Sequence, residues 1–467
     1  MSKLKRELNT LDVLVVAFGA MIGWGWVVAS GSWIQSGGVV GTILGFIIGG
    51  LMIYFVGLVY SELTTAFPKT GGEMVFSYKA FGPIGSFVCT WMLILSYVGV
   101  VCFEACSFPV ILQYIFPGLL KGYMYTIAGF KVYASWVAIA VVTATFIMVL
   151  NLIGTKKAAV FQTIFTLAIA AVGLLLLAGA SFTGSFANVE GNAFVGASWG
   201  KVENIMKVAI MTPFFFFGFD VIPQASEEIN IPLKKLGRMM ILSIIMAVLF
   251  YSMVVLSVGL VFDSGMVADS MAKSGLVTAD AMAKAFGSST MAKVLILGGL
   301  CGIITSWNSF LIGGSRCVYA MAVAHMLPGR FSRLHNKYHT PALAILLMGG
   351  LSVVAPFFGR VMLLWIVDAA NFACCVAYCI VALSFLVIRK KHPDVERPFQ
   401  VRAHRFIGIM ASLMSGVMAT MYLIPGTSCS LIWQEWVIVG GWALLGCLFL
   451  AVSRRYYGNR FASGVDV

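Results

Sequence analysis

Charge is what this chain has least of. Only 10% of its 467 residues are Asp, Glu, Lys or Arg, whereas 60% are apolar; a water-soluble domain carries about 25% charged residues. Also missing are the polar linkers that would divide a soluble chain of this length into domains. The long charge-poor runs mark helical membrane spans, each needing about 20 apolar residues. Their continuity excludes an outer-membrane barrel, whose strands alternate apolar and polar positions. No glycine loop followed by a lysine is present to cradle a phosphate, and no catalytic constellation accompanies the carboxylates, so neither ATP hydrolysis nor an enzyme is expected. Nine of the ten cysteines, all but Cys429, lie inside apolar runs without zinc-ribbon spacing. They read as small core residues, Cys102 and Cys106 on one helix face included. The five histidines (His325, His335, His339, His392 and His404) fall in loops or at helix ends, which excludes a histidine relay across the membrane. No cofactor, metal or nucleic acid is expected, and the partners are a small-molecule substrate, the lipid bilayer and protons.

What is present is a series of apolar windows at about 11–34, 39–66, 83–113, 130–153, 158–184, 204–226, 238–262, 288–325, 341–357, 360–388, 406–425 and 431–453. Twelve spans place both termini on one side of the membrane. With the N-terminus inside, the outer loops hold only Lys121, Lys131, Lys201, Lys207, Lys273, Lys284, Lys293 and Arg360 of the 31 Lys and Arg residues. Clusters such as Arg389-Lys390-Lys391 and Arg454-Arg455 then lie on the cytoplasmic side, as the positive-inside rule requires. The formal charge of +13 follows from the same loops and needs no acidic partner. Met1–Asn9 is short and basic, and the run behind it is too long for a signal-peptide core, so no cleavage is expected. The segment 263–287 reads as a short outer capping helix, and 389–405 as a cytoplasmic loop.

Two windows have unusual interiors. The first reads Gly19-Ala20-Met21-Ile22-Gly23-Trp24-Gly25, with three glycines in seven residues at mid-membrane depth. The sixth reads Phe214-Phe215-Phe216-Phe217-Gly218-Phe219-Asp220-Val221-Ile222-Pro223, bringing a glycine, a carboxylate and a proline together. Close helix packing explains either run alone, because small residues let helices approach in lipid. Their positions argue further. Spans one and six open two five-helix halves, and interrupted segments at corresponding positions point to a transporter binding site. Unwound backbone exposes N–H and C=O groups that lipid cannot satisfy and a polar substrate can.

These segments resemble the amino acid–polyamine–organocation permeases. Ser61-Glu62-Leu63 through Pro68-Lys69-Thr70-Gly71-Gly72-Glu73 to Ala80-Phe81-Gly82 is similar to that family's motif between spans two and three. Phe217-Gly218-Phe219-Asp220 with Glu227-Glu228-Ile229-Asn230-Ile231-Pro232 resembles the sixth span of the cationic-amino-acid-transporter-like branch. Arg316 through Leu327-Pro328 and Thr340-Pro341, then Arg389-Lys390-Lys391-His392-Pro393-Asp394 with Arg397-Pro398-Phe399, match the segments after spans eight and ten. The resemblance implies an all-α polytopic membrane protein of twelve transmembrane helices with the LeuT-type 5+5 inverted repeat. Its halves would be 11–184 and 204–388, with two additional helices in 406–453, and helices one and six broken. It also implies that Met21, Gly23, Trp24 and Gly25 offer backbone groups to the substrate carboxylate, with Ala20 and Ile22 in the same substrate site. Phe214, Phe215, Phe216 and Phe217 would supply carbonyls for its amino group and an aromatic lid, with Gly218 in the same substrate site, while Asn308 and Phe310 would lie at an aromatic gate.

Two departures from the family pattern stand out. Trp24 and Trp26 replace smaller residues, which reshapes the pocket. Many relatives carry a lysine in span five where this chain has Ile169, following Thr166, and such a lysine stands in for sodium or takes part in proton coupling. The buried carboxylates Glu104, Asp220 and Asp368 are therefore the charged coupling candidates beside Thr166 and Ile169, since ionisable residues within spans are expensive and functional by default. Glu104 and Asp220 are also candidates for holding a substrate amine, although Asp220 could equally satisfy loose backbone N–H groups. Glu227 and Glu228 read as a solvated charge pair. The expected function is a secondary transporter of a small amino acid or related amine in the cytoplasmic membrane. A biogenic amine or polyamine transporter is the alternative, and a non-transporting sensor of the same fold is a third reading.

Overall fold

In the first apolar window, expected to hold a broken span, three short helices follow one another: α1 (Thr10–Met21), α2 (Gly25–Val28) and α3 (Ser30–Gly37). The computed structural model describes residues 4–427 and 429–465. Helix α1 starts where Asn9 accepts from the backbone N–H groups of Leu11 and Asp12 while Asp12 accepts from Asn9 N, a reciprocal cap. It stops at Ile22, before Gly23-Trp24-Gly25.

The chain continues through α4 (Val39–Ala66), α5 (Gly72–Ile115), a hairpin of β1 (Tyr123–Ile127) and β2 (Phe130–Tyr133), α6 (Ala134–Leu152), α7 (Thr155–Thr183) and α8 (Phe186–Gly191). Helix α5 begins upstream of its expected window and turns at Gly82, where φ is 73°. The hairpin's second strand occupies residues that the window at 130–153 assigns to a span. Alternating Tyr, Thr and Val favour strand there, and Ala128 and Gly129 turn it with positive φ.

The second break lies between α9 (Trp199–Met211) and α10 (Val221–Gln224). A 3-10 turn over Thr212–Phe216 carries Pro213 in its first turn, Phe217 is extended, and Gly218 adopts φ +129°. A Cβ at Gly218 would stand 2.6 Å from the Cβ of Ala20. The two breaks therefore touch, and only glycine permits both that angle and that approach.

Beyond it lie α11 (Leu233–Val261), α12 (Ser264–Lys273), α13 (Val277–Phe286), α14 (Ser289–Val323), α15 (Ala342–Val354), α16 (Gly359–Lys391), α17 (His404–Met421) and α18 (Trp433–Tyr457). The segment 263–287 is thus two helices, not one. The second is largely buried, and Thr278 donates to the Trp26 carbonyl and meets Ser30.

Among the described residues, nine segments are long and apolar enough to cross a membrane. The other windows differ for visible reasons. The first is broken into short pieces, 342–391 runs on as one segment, and α17 is absent from the nine. Helices α5 and α14 run through the interior, whereas α6, α7 and α18 present mostly outward faces. Those faces are apolar, with Ile164, Leu167, Leu174, Leu444 and Leu448 exposed. In a chain with these spans such a belt faces lipid. The protein is an all-α polytopic membrane protein, with one small hairpin among the described residues. Both ends of the described chain pack on one face of the bundle: Leu8 pairs with Ile229, and Ala462 N donates to Ala324 O at the end of α14.

Candidate functional site

A cavity of about 720 Å³ lies between the two breaks and opens toward the face opposite the termini. Ala20, Met21, Gly23, Trp24 and Gly25 form one wall, and Phe214, Phe215 and Phe217 a second. Helix α5 contributes Ser96, Phe103 and Glu104, α14 contributes Ser306 and Phe310, and α11 contributes Tyr251. At the mouth stand Tyr114, Arg360, Asp368 and Tyr422, with Glu435 from the last helix. That the C-terminal helices reach the cavity was not foreseen from the sequence.

Glu104 is the buried charge-bearing side chain beside the first break. It is 5% exposed, its Oε2 has no hydrogen-bond partner, and its Oε1 would lie 3.5 Å from a Cβ built on Gly23. Ser306 stands next to it.

Several expected site residues lie elsewhere. Phe216 turns away from the cavity to pack edge-on against Phe46 and Tyr251, and Ile22 is fully buried in the core. Gly218 faces Ala20 instead of the cavity. Asn308 accepts from Asn151 Nδ2 at 2.8 Å and donates to Gln162 Oε1 at 2.9 Å. The Gln162 amide also donates to Thr305 O and Ser309 Oγ, tying α7 to α14. Thr166 Oγ1 reaches Val15 O at 3.5 Å, and Ile169 is buried.

Asp220 lies beneath the cavity floor. Its Oδ2 accepts from Tyr97 Oη at 2.6 Å, and its Oδ1 accepts from Tyr378 Oη at 2.8 Å and from Gly218 N at 2.9 Å. The same tyrosines support the floor: Phe310 packs on Tyr97 and Phe217 on Tyr378. Asp220 thus satisfies the freed backbone of the break, as a buried carboxylate must.

The termini-bearing face is closed by ion pairs. Arg316, fully buried on α14, donates through Nε to Glu228 Oε1 at 2.7 Å and through Nη2 to Oε2 at 3.1 Å, with Thr155 bridging both side chains. Glu228 is therefore not solvated: the second break carries it into the bundle beside the guanidinium. Glu62 accepts from Arg389 Nη2 and Val401 N, each at 2.7 Å, and pairs with Arg397. Lys156 meets Asp12 at 2.5 Å. Glu73, also fully buried, accepts from Gln224. These acids sit inside apolar or motif-bearing segments of the sequence, a signal that they have partners, but their partners lie up to hundreds of residues away.

The geometry is matched by relationship. Residues 12–452 match the family model described as amino acid permease. The chain is similar to the methylthioribose transporter of Bacillus subtilis, 26% identical over 97% of this chain and 94% of that protein. It is 27% identical to the branched-chain amino acid permease BcaP of the same organism, over 85% of this chain and 84% of that one. To the serine/threonine exchanger SteT it is 24% identical over 92% and 94%. These relatives are transporters of different substrates, and they do not single out a cationic-amino-acid branch. A cavity walled by two broken helices, in a chain matched along nearly its whole length, belongs to a secondary transporter, and this protein is a member of the amino acid permease family.

Proposed function

We propose that the chain crosses the cytoplasmic membrane twelve times, as two inverted halves at 11–184 and 204–388 followed by two helices at 406–453, with both termini inside. The cavity then faces outward, and the structure is the outward-open state of an alternating-access cycle. One observation carries this reading: the cavity ends between two touching helix breaks, with the buried Arg316–Glu228 ion pair and the Arg389–Glu62 ion pair closing the termini-bearing side of the bundle. Broken helices at a mid-bundle cavity are the arrangement in which unwound backbone meets substrate. The substrate is a small amino acid or related amine, contacted by Ala20, Met21, Gly23, Trp24, Gly25, Phe214, Phe215, Phe217 and Phe310. Neither Thr166 nor Ile169 carries charge, so coupling falls to exchange or to protons carried by Glu104, Asp220 or Asp368.

Uptake of labelled serine, ornithine, ethanolamine and putrescine into proteoliposomes tests this. Saturable accumulation of at least one of them is expected. Accumulation that needs an opposed pH gradient indicates proton coupling, and accumulation that needs internal substrate indicates exchange. Saturable binding without flux would leave a sensor in place of a transporter.

A further inference from the structure

We propose that the cavity recognises its substrate through a cationic amine seated on Glu104, and that a substrate carboxylate is dispensable. The favoured ligands are small primary amines without an α-carboxylate. This rests on the reading of the cavity as the transport site.

Glu104 has an unmet valence. Glu104 Oε2 is buried in the cavity wall without a donor. A buried acceptor without a donor is unfavourable, so Oε2 calls for a hydrogen-bond donor. An ammonium brings three donors and no acceptor, and it completes the site. A substrate carboxylate brings only acceptors. It would meet Glu104 where the glycine-rich break was expected to receive it, because Glu104 Oε1 stands 3.5 Å from the Cβ position of Gly23. An ionised Glu104 and a substrate carboxylate crowded there repel instead of binding.

The rest of the cavity points the same way. Among the described residues, its acidic and basic lining is three carboxyl side chains, Glu104, Asp368 and Glu435, against one guanidinium, Arg360. A cleft lined mainly by one sign of charge in low-dielectric walls concentrates ligands of the opposite sign. Trp24, Phe214, Phe215 and Tyr251 line the cavity close to the first break, and aromatic rings attract ammonium groups. Arg360 stands at the mouth, at the start of α16, and leaves the inner part of the cavity without a cation.

The test is calorimetric titration of the full chain in lipid nanodiscs with two matched pairs, serine against ethanolamine and ornithine against putrescine. At least one amine is expected to bind about tenfold or more tightly than its amino acid. Glu104→Gln is expected to weaken that amine by about tenfold or more, since it removes the charged partner of a buried contact, and Glu104→Asp to recover part of the loss. Size-exclusion and melting profiles of both variants establish that they fold. The proposal is overturned if the amino acid of each pair binds more tightly, if neither amine binds, or if a folded Glu104→Gln protein binds the amine unchanged. Its failure is separable from that of the transport reading. Amines that bind without accumulating in proteoliposomes end the transport reading alone, and amino acid uptake that requires a free carboxylate ends this inference alone.

Discussion

Gly25→Leu is expected to insert, fold and carry nothing. A Cβ at position 25 would lie 2.5 Å from Cε1 and 2.8 Å from Cδ1 of Phe215. That ring cannot simply swing away, because it packs edge-on against Trp33 at 4.9 Å and Phe214 at 5.0 Å. A leucine must therefore push Phe215 out of its aromatic cluster and fill the space between the two breaks. Cores tolerate such overpacking at a cost of about 1–3 kcal/mol, so the fold survives while the cavity does not. Uptake in proteoliposomes should fall to the background of empty vesicles, because the leucine fills the space a substrate needs between the breaks. Normal uptake in a correctly folded Gly25→Leu protein would remove the first break from the site.

Arg316→Met is expected to unlock the termini-bearing face. The guanidinium is fully buried, and its removal leaves the Glu228 carboxylate beside Thr155 with no cation. Breaking a buried pair by deleting one partner costs about 3–5 kcal/mol. The penalty falls only on the conformation that brings α14 and the second break together. In the opposite conformation both groups reach water, so the cost there is small. At about 1.4 kcal/mol per tenfold, the balance between the two states shifts by more than about a hundredfold. A lower melting temperature should accompany loss of substrate binding from the side opposite the termini. The double variant Glu228→Met with Arg316→Met leaves no orphaned charge, and it should regain much of the lost melting temperature. A single variant as stable as the parent, with its cavity still open to the same side, would show that the pair does not close the bundle.

These two predictions rest on features that differed in how far the sequence reveals them. The breaks were legible, because three glycines in seven residues and a Gly-Phe-Asp run before Pro223 conflict with a continuous helix. The orientation of individual rings was not. In the 3-10 turn over Thr212–Phe216 successive side chains fan out at about three per turn, so helical spacing does not say that Phe215 faces the cavity and Phe216 the core. Asp220 was recognised as a buried carboxylate. Its role was fixed by Tyr97 and Tyr378, which lie 123 and 158 residues away. Glu228 was misread for the same reason: a charge next to a span end looks solvated until its partner on α14 is known. The hairpin at 123–133 had a readable signal in its alternation around Ala128-Gly129, which the apolar window obscured. Local chemistry is written locally, whereas ion pairs and ring contacts between distant segments become visible only once the helices are packed.

The claim on which everything else depends is that the cavity between the breaks is the substrate's path. It is tested most directly by a single cysteine at Ser306, in the cavity wall, on a background from which the ten native cysteines have been removed. A membrane-impermeant thiol reagent is applied to intact cells, which expose only the outer side. The account predicts rapid modification of that cysteine, slowing when transported substrate is present, and loss of uptake in proportion to the label. A cysteine that the reagent reaches only in inside-out vesicles, or one that is fully labelled while uptake continues unchanged, would contradict it.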